Sequence, residues 1–268
     1  MKKSVASLGW IFQNRKMFWD ASTSQEILDE VHRGRDTAIL PLGAIEQHGA
    51  HLVTGYDSWI AKRIATDLSK KVKAWVLPSF EFGTSDHHRG FHGTLTLRES
   101  TVMAMMQDLM QSLCESEIKR LILVNGHGGN YSWMRKLGNQ FKGMRIVQDG
   151  DRPILFSVIR ELEIEYPAAA LGLHAGLFET SMALHTHTDA VRKNLMKAGL
   201  VPANPEKAWT DEEIRGFIAV GLKNSSPNGI IGDPSQASLE LGRKFYDRVL
   251  ERFLELVTES SYQSRSDT

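Results

Sequence analysis

The sequence predicts an α/β fold in which helices cover both faces of a mostly parallel sheet, built as a single domain over residues 1–268. Three observations support this fold class. Short apolar runs alternate with longer helical patterns, the runs are continuously apolar, and we find no internal repeat or low-complexity tract. Strands that are covered on both faces have continuous apolar runs, and helical crossovers make neighbouring strands parallel.

The predicted elements follow one another in a regular order. We predict strands over the apolar runs Thr37–Gly43, Ala74–Phe80, Arg120–Gly126 and Met144–Gln148. We predict helices over 57–72, 98–116 and about 129–141, and an amphipathic C-terminal helix over 235–257 with Ser235 as its N-cap. Residues 195–234 are richer in Pro, Asn and Gly, and we interpret them as a lid-like excursion of the same domain.

Composition limits the classes of partner. Lys and Arg together number 32, as do Asp and Glu, so charge gives no reason to expect nucleic acid or an anionic membrane. No apolar run approaches the length of a membrane span, and residues 1–16 lack the sustained apolar segment of a signal peptide. The single cysteine, Cys114, cannot form an intrachain disulfide and suits a reducing compartment. We therefore expect a cytoplasmic protein.

The first predicted strand runs into an unusual polar segment, "PLGAIEQHGAHLVTGYD". Glu46 and His48 are two residues apart, so they point to the same side of an extended segment. Asp57 then opens the next helix. Two carboxylates and an imidazole form a mixed donor set that suits Zn²⁺, Mn²⁺ or Fe²⁺. The alternative is that Asp57 caps the helix and that the histidines, including His51, lie in a loop or pack nearby.

Two further segments carry candidate ligands. In "LILVNGHGGN", His127 follows a strand and is surrounded by glycines, which would let a ligand approach closely. The alternatives there are a tight turn or a phosphate cradle. In "HAGLFETSMAL", we place His174, Phe178 and Ser181 on one helical face with Glu179 beside it. A carboxylate in such apolar surroundings needs a partner, unless it is simply exposed to solvent.

The segment "FGTSDHHRGFHGT" contains four potential ligands within seven positions. We favour His88 as a pocket residue, interpret Asp86 and His87 as exposed loop, and give His92 little weight. We expect Ser85, His88, Asn125 and Gly128 to contact substrate, with Asn125 and Ser181 also candidates for supporting the ligands. A packed thiol is the expected role of Cys114. The sequence contains neither the G-x-S-x-G elbow of serine hydrolases nor the H-E-x-x-H motif of zincins.

Taken together, "GAIEQHGAHL…D", "FGTSDHHRGFHGTLTL", "LVNGHGGN", "HAGLFETS" and "GIIGDPSQASLELG" resemble the creatininase (creatinine amidohydrolase) family, from Thr37 to the C-terminal helix. The resemblance implies a three-layer α/β/α fold and two divalent ions, Zn, Mn or Fe. It implies that Glu46 and His48 each bind one ion, that Asp57 bridges them, and that His127 completes one site. It also implies a homo-oligomer, with a hexamer expected.

Two positions depart from the family pattern. Creatininase has a glutamate ligand two positions after the histidine, where this chain has Gly129, and we expect Glu179 to replace it. His92 stands where the family usually has proline. The first departure weakens any assignment of creatinine itself as the substrate.

The expected activity is hydrolysis of a cyclic or linear C–N amide bond in a small molecule. A hydroxide shared by the two metals would attack the carbonyl, Glu179 would hold a metal, and His174 would protonate the leaving nitrogen as general acid. Three alternatives remain open. The same site could hydrolyse a C–C bond of a cyclic ketone, the protein could be a metal-stabilised binding protein without catalysis, or "NGHGGN" could bind phosphate or a nucleotide.

Overall fold

The computed structural model contains one parallel sheet with the strand order β2-β1-β3-β4. The structure describes residues 17–137, 143–149, 153–202, 204 and 207–266. The strands are β1 (Thr37–Leu42), β2 (Trp75–Val76), β3 (Arg120–Asn125) and β4 (Arg145–Val147). β1 pairs with β3 along its whole length, from Thr37 opposite Arg120 to Leu42 opposite Asn125, so both strands end at the same edge of the sheet.

Helices connect the strands and cover the sheet. They are α1 (Ser24–His32), α2 (Tyr56–Ser69), α3 (Glu99–Glu115), α4 (Tyr131–Leu137), α5 (Ile154–Leu162), α6 (Ala168–Leu171), α7 (Leu177–Thr186), α8 (Asp211–Val220), α9 (Leu222–Ser225) and α10 (Leu239–Ser266). No helix within the described ranges is long and apolar enough to cross a membrane.

Alternate residues of the central strands enter two separate cores. Ile39 of β1 and Ile122 of β3 pack in one core with side chains of α2, α7 and α10. Their neighbours Leu40 and Leu123 pack in the other core with side chains of α3 and α4. This alternation explains why both strands are continuously apolar, and it confirms the predicted three-layer α/β/α arrangement.

The second strand is much shorter than predicted. The ladder of β2 covers only Trp75–Val76, although the apolar run extends to Phe80. Pro78 fixes its own φ and restricts Leu77, and the next N–H to reach β1 is that of Phe80 instead of Ser79. The chain nevertheless continues beside β1, because the Leu77 N–H donates to Ile39 and the Phe80 N–H donates to Pro41.

The C-terminal helix begins later than predicted. Ser235 does not cap it, because Ser235 lies in a turn before the helix, where its N–H donates to the Asp233 carboxylate. The helix begins at Leu239, and the hydroxyl of Ser238 accepts from the N–H of Leu241. Ser238 is thus the residue with the capping interaction expected of Ser235.

Some predictions fall partly on residues outside the described ranges. The helix expected over 129–141 is observed as a 3-10 turn over Gly128–Asn130 followed by α4, and positions 138–142 are not described. Residues 1–16, in which we find no signal peptide, are likewise outside.

The excursion over 195–234 carries α8 and α9 and has a small core of its own. Trp209, Leu222 and Ile231 are buried there, and Phe91 and Phe217 pack against them. The indole of Trp209 packs edge-on against the ring of Phe217, with 4.9 Å between the ring centroids. This small core holds the excursion against the segment that carries Phe91, which leads to the candidate site.

Candidate metal centre

The ends of β1 and β3 bring together most of the predicted ligands. Glu46 and His48 follow β1 and are almost completely buried, with exposed fractions of 1% and 0%. His127 follows β3 and is also buried. Because the two strands are adjacent and parallel, the segments that leave them meet at one sheet edge, where open α/β sheets bind ligands.

Asp57 enters the same point from the first turn of α2. A Cβ atom added to Gly126 would lie 2.4 Å from the carbonyl oxygen of Asp57, so only glycine lets this turn approach the end of β3 so closely. The Oδ1 atom of Asp57 lies 3.1 Å from His48 Nε2, and its Oδ2 atom lies 3.1 Å from His127 Nδ1. The carboxylate therefore spans the two imidazoles.

Backbone carbonyls orient both imidazoles. His127 Nε2 lies 3.1 Å from the carbonyl oxygen of Thr84, so this nitrogen donates and Nδ1 turns its lone pair toward Glu46 and Asp57. His48 Nδ1 donates to the carbonyl oxygen of Glu46 at 3.1 Å and leaves Nε2 directed inward. Metal-binding histidines are typically oriented in this way by a hydrogen bond from the opposite ring nitrogen.

Several inward atoms lack a hydrogen-bond partner among the described residues. They are Glu46 Oε2, His48 Nε2 and Asp57 Oδ2. Buried polar atoms without partners are costly and rare, and here the orphaned atoms are acceptors that converge. A cation would satisfy all three, so the residues fit the metal centre that the sequence predicts.

Glu179 adds a third carboxylate from the first turn of α7. The N–H of Ala175 donates to its Oε2 atom at 2.6 Å, and that same oxygen lies 3.9 Å from His48 Nε2. Ala175 has a left-handed backbone with φ of 53°, which turns its N–H toward the carboxylate. Burial raises the pKa of Glu179 to about 7, against the attraction of His48.

The carboxylates and imidazoles of the cluster strongly perturb one another. Burial opposes charge on His48, but the carboxylate of Asp57 raises its pKa to about 9. For His127 as well, burial is outweighed by Glu46 and Asp57, which raise its pKa well above the usual value. The same pairing holds the pKa of Glu46 well below its usual value despite burial. The electrostatic environment of the cluster thus favours a bound positive charge.

Among the residues that the structure describes, four groups of three have ligand atoms within 4.8 Å of one another and could hold an ion. They are Glu46–His48–Asp57, His48–His174–Glu179, Glu46–His88–His174 and Glu46–His87–His127. The predicted ligands Glu46, His48, Asp57, His127 and Glu179 are therefore all present in one cluster. Asp57 lies between the His48 and His127 sides, as a bridging carboxylate would.

His174 reaches the cluster from a different element than we predicted. It does not lie on α7 but precedes it, in a bridge with Ile231, and is almost fully buried. Its Nε2 atom donates to the carbonyl oxygen of Gln47 at 2.7 Å, so Nδ1 faces Glu46 Oε1 at 3.7 Å. The left-handed Ala175 separates His174 from the helix, and a helical pattern cannot anticipate that reversal.

Gln47 is a functional residue that the sequence reasoning missed. Its side-chain amide donates to the carbonyl oxygen of Gly229 at 2.8 Å and lies 3.0 Å from His88 Nδ1. His88 Nδ1 then accepts, and its Nε2–H points toward Glu46 Oε1 at 3.4 Å. The side-chain amide of Gln47 thereby fixes the tautomer of His88, and its backbone carbonyl fixes the tautomer of His174.

The predicted substrate-contacting residues separate into two pairs. His88 and Gly128 line the cavity above the cluster. Ser85 and Asn125 lie behind His127 instead: Ser85 Oγ is 3.3 Å from His127 Nε2, and the Asn125 amide donates to the His127 carbonyl at 2.7 Å. They are placed to hold His127 rather than to meet a substrate.

The structure also places the remaining residues that the sequence analysis considered near the site. His87 is half-buried and lines the cavity, so our interpretation of it as exposed loop is wrong, whereas Asp86 is exposed as expected. His51 packs away from the ligand groups, with Nε2 2.9 Å from Thr180 Oγ1. Ser181 accepts from the N–H of Ser238 and so faces the C-terminal segment rather than supporting a ligand.

The cavity that opens above the cluster has a volume of about 920 Å³. Its walls combine the polar cluster at the bottom with apolar side chains from α5, α8 and the preceding loops, including Leu155, Phe156, Ile159, Leu173, Ile214, Phe217, Ile218 and Ile231. Arg135 and Lys223 stand at the exposed rim. A small organic molecule with an apolar part fits these surroundings.

Comparisons with known proteins agree with this fold. The family model described as "Creatininase: Creatinine amidohydrolase" matches residues 20–257. A mycofactocin precursor peptide peptidase of Mycobacterium ulcerans is 28% identical over 224 residues, covering 80% of this chain and 81% of that protein. A creatinine amidohydrolase of Pseudomonas putida is 27% identical over 197 residues, covering 66% and 75%.

A more distant relative and several structures complete the comparison. A 3-dehydro-scyllo-inosose hydrolase of Thermotoga maritima is 22% identical over 268 residues, covering 91% of this chain and 83% of that protein. A crystal structure of creatininase superposes with a TM-score of 0.74 at 21% identity, covering 91% of this chain and 97% of that one. Creatininase structures described as a Zn–Zn type and as Mn match with TM-scores of 0.73 and 0.72.

Proposed function

The chain belongs to the creatininase family, and from this premise we propose that it is a metal-dependent amidohydrolase that cleaves a C–N amide bond in a small molecule. The observation that carries the proposal is the convergence of orphaned acceptor atoms from Glu46, His48 and Asp57, beside a cavity that Glu46 itself lines. Such atoms serve no purpose in a core, whereas they suit a hydrolytic metal site.

Two divalent ions are part of the proposal. Glu46, His127 and one oxygen of Asp57 would hold the first ion, and His48, Glu179 and the other oxygen of Asp57 would hold the second. Two related structures are described by Mn or Zn, and the mixed oxygen and nitrogen donors suit either metal, or Fe. When bound, the ions supply Lewis acidity that polarises the amide carbonyl and lowers the pKa of water.

His174 is the residue that we propose to protonate the leaving nitrogen. Burial holds the pKa of its imidazole well below the usual value, so the ring is neutral at the start of the reaction. Its Nε2–H is occupied by the carbonyl oxygen of Gln47, and Nδ1 is therefore the atom that takes up and returns the proton. Glu179 contributes by holding its ion beside this histidine.

The shape of the cavity favours an amide with an apolar substituent. Its opening faces the rings of Phe156 and Phe217 and the side chain of Ile218, and its rim has the cations of Arg135 and Lys223. The relative from M. ulcerans is named for a peptide substrate and the one from P. putida for creatinine. We propose that the bond lies over the cluster and the substituent against the apolar wall.

The second candidate is hydrolysis of a C–C bond in a cyclic ketone. The relative from T. maritima, whose name designates a hydrolase of an oxidised cyclic polyol, favours it. Attack on a carbonyl begins both reactions. A polyol ring has no apolar part to place against the wall of Phe156, Phe217 and Ile218, so we rank the amide first.

We also propose that the protein acts in the cytoplasm as a homo-oligomer. The single cysteine suits a reducing compartment, and the family resemblance supports the assembly. Mass photometry of the purified protein would test the assembly, and a monomer at micromolar concentration would contradict it.

Metal analysis combined with a substrate panel tests the proposed activity. Protein stripped with a chelator would be reloaded with Zn²⁺, Mn²⁺ or Fe²⁺ and offered lactams, formamides, short peptides and cyclic ketones. We expect close to two ions per chain and turnover of an amide only after reloading. Fewer than one ion per chain would exclude the metal site, and turnover of ketones alone would replace the first candidate with the second.

A further inference from the structure

Gly129 leaves no space for the glutamate that creatininase has at this position. A Cβ atom added to Gly129 would lie 2.2 Å from the carbonyl oxygen of Thr84 and 2.4 Å from His127 Nε2. Both neighbours are fixed, because His127 Nε2 donates to the Thr84 carbonyl. An acidic ligand therefore cannot enter from this position with the present backbone.

His87 occupies the neighbouring space. The same hypothetical Cβ atom would lie 3.0 Å from His87 Cε1. The His87 ring stacks on that of His127 at a centroid distance of 5.8 Å and an interplanar angle of 9°. A nitrogen of His87 also forms, with Glu46 and His127, one of the groups whose ligand atoms lie within 4.8 Å.

We propose that His87 is an additional ligand of the ion held by Glu46 and His127, in the space that any side chain at position 129 would enter. This inference rests on the proposed metal-dependent function. Neither ring nitrogen of His87 makes a hydrogen bond to any residue that the structure describes, so one is available to an ion. Glu179 still serves the other ion, on the His48 side.

Its neighbour His88 does not fit this role, although it also lies near Glu46. The amide of Gln47 donates to His88 Nδ1, which leaves a hydrogen rather than a lone pair on the Nε2 atom that faces Glu46. His88 can therefore donate to a carboxylate or a substrate oxygen. The lone pair that a metal needs is available on His87 and not on the inward side of His88.

An additional imidazole ligand has a chemical consequence. The ion held by Glu46, His127 and His87 gains one neutral nitrogen donor. Imidazole suits Zn²⁺ and Fe²⁺, whereas Mn²⁺ prefers oxygen ligands. We therefore expect this ion site to prefer Zn²⁺ over Mn²⁺ and to weaken for Zn²⁺ when His87 is removed.

The experiment compares His87→Ala with His92→Ala, an exposed histidine of the same loop that reaches none of the ligand groups. Zn²⁺ affinity would be measured by competition with a chromogenic chelator, and metal content by mass spectrometry after dialysis. We expect His87→Ala to weaken one of the two ions at least ~10–100-fold, since even partners outside the coordination shell reach that range. His92→Ala should match the unmodified protein.

A Co²⁺-loaded sample adds a readout that is independent of activity. The visible absorption of Co²⁺ reports its ligand number and type, so it should change in His87→Ala and not in His92→Ala. His87→Glu, which supplies a carboxylate donor from the same position, should recover the ion that His87→Ala weakens. Circular dichroism of each variant checks that the fold is retained.

The outcomes separate the two proposals. If the unmodified protein binds no metal, the proposed function fails and the His87 inference fails with it. If it binds two ions, and His87→Ala binds both with unchanged affinity and an unchanged Co²⁺ spectrum, only the His87 inference is overturned.

Discussion

The floor and the roof of the cavity are built on opposite principles. The floor consists of Glu46, His48, Asp57 and His127, which are at most 3% exposed and are held by the sheet edge. The roof is α8, in which no residue is buried and whose Ile218 is 54% exposed. The floor residues contact one another through charged and polar groups, whereas the roof residues contact the rest of the chain through small apolar patches.

This difference assigns separate tasks to the two regions. Groups that hold ions need fixed positions, and a buried edge between parallel strands provides them. Groups that select a substrate can lie on exposed segments, which tolerate change. Changes in the floor should therefore affect metal binding and turnover, and changes in the roof should affect substrate affinity alone.

The largest effect is expected from Asp57→Ala. Its two oxygens face His48 and His127, so the substitution removes a donor from both proposed ion sites and should abolish binding of both ions and turnover. Metal analysis and kcat/KM would check this result. Asp108→Ala, on the exposed side of α3, is the control. Retention of one tightly bound ion would show that Asp57 is not a bridge.

His174→Ala should lower kcat by about 10²–10⁴, the range of general acid–base catalysis, while both ions remain. The reason is that Nδ1 faces the cluster but the ring is anchored through Nε2. His185→Ala, at the end of α7, is the control. Loss of an ion from His174→Ala would identify it as a ligand instead, and normal turnover would exclude the assigned role.

Gln47→Ala should lower kcat/KM by roughly 10–100-fold with metal content unchanged, as expected for a group that orients others. The substitution removes the donors to Gly229 and His88, which frees the His88 ring. Gln111→Ala, on the exposed side of α3, provides the comparison. An equal kcat/KM in both variants would mean that the tautomer of His88 does not matter.

In the roof, Ile218→Ala should raise KM about 5-fold and leave kcat and metal content unchanged. About half of this side chain is exposed, so its loss removes roughly 1 kcal/mol of apolar contact with a substrate. Ile164→Ala, a 90% exposed isoleucine outside the cavity, is the control. A fall in kcat at constant KM would break the division between floor and roof.

The smallest effect on turnover is expected from Asp149→Asn, which should instead change the pH dependence of stability. Burial raises the pKa of Asp149 to about 6, from 3.8. The folded protein therefore binds more protons than the unfolded chain between these values, and its stability falls as pH rises through them, by up to about 3 kcal/mol.

Asp149→Asn should remove this dependence. The free energy of unfolding of the variant minus that of the unmodified protein should therefore increase from pH 4 to pH 7. Chemical denaturation at several pH values would measure it. Tyr131→Phe, which deletes the hydroxyl that donates to Asp149 at 2.6 Å, should enlarge the dependence instead. Parallel pH profiles for all three proteins would contradict the assignment.

The sequence predicted the floor well because its chemistry is local to strand ends. Glu46, His48 and His127 follow β1 and β3, and apolar runs locate such strands. Because adjacent parallel strands end at the same edge of a sheet, these residues could be predicted to lie close together even if the helices were unknown. Asp57 was found because it opens the helix that returns from β1.

Residues placed by irregular backbone were not predicted. Gln47 lies between two proposed ligands and had no role in the sequence analysis, although its contacts to His88 and Gly229 join segments 41 and 182 positions away. His174 was assigned to a helix because periodicity carries no sign of the left-handed Ala175. His87 carried no distinct sequence signal, because only the fold stacks its ring on that of His127.

The pairing of His87 with Gly129 also constrains how this chain could evolve. Glutamate cannot be introduced at position 129 while Thr84 and His127 hold their places, and removal of His87 alone would leave the site a ligand short. A side chain at position 129 would also meet the ring of His87, so the two positions are coupled sterically. Ancestral sequences with a larger residue at position 129 should therefore also differ at position 87 and in the loop that carries Thr84.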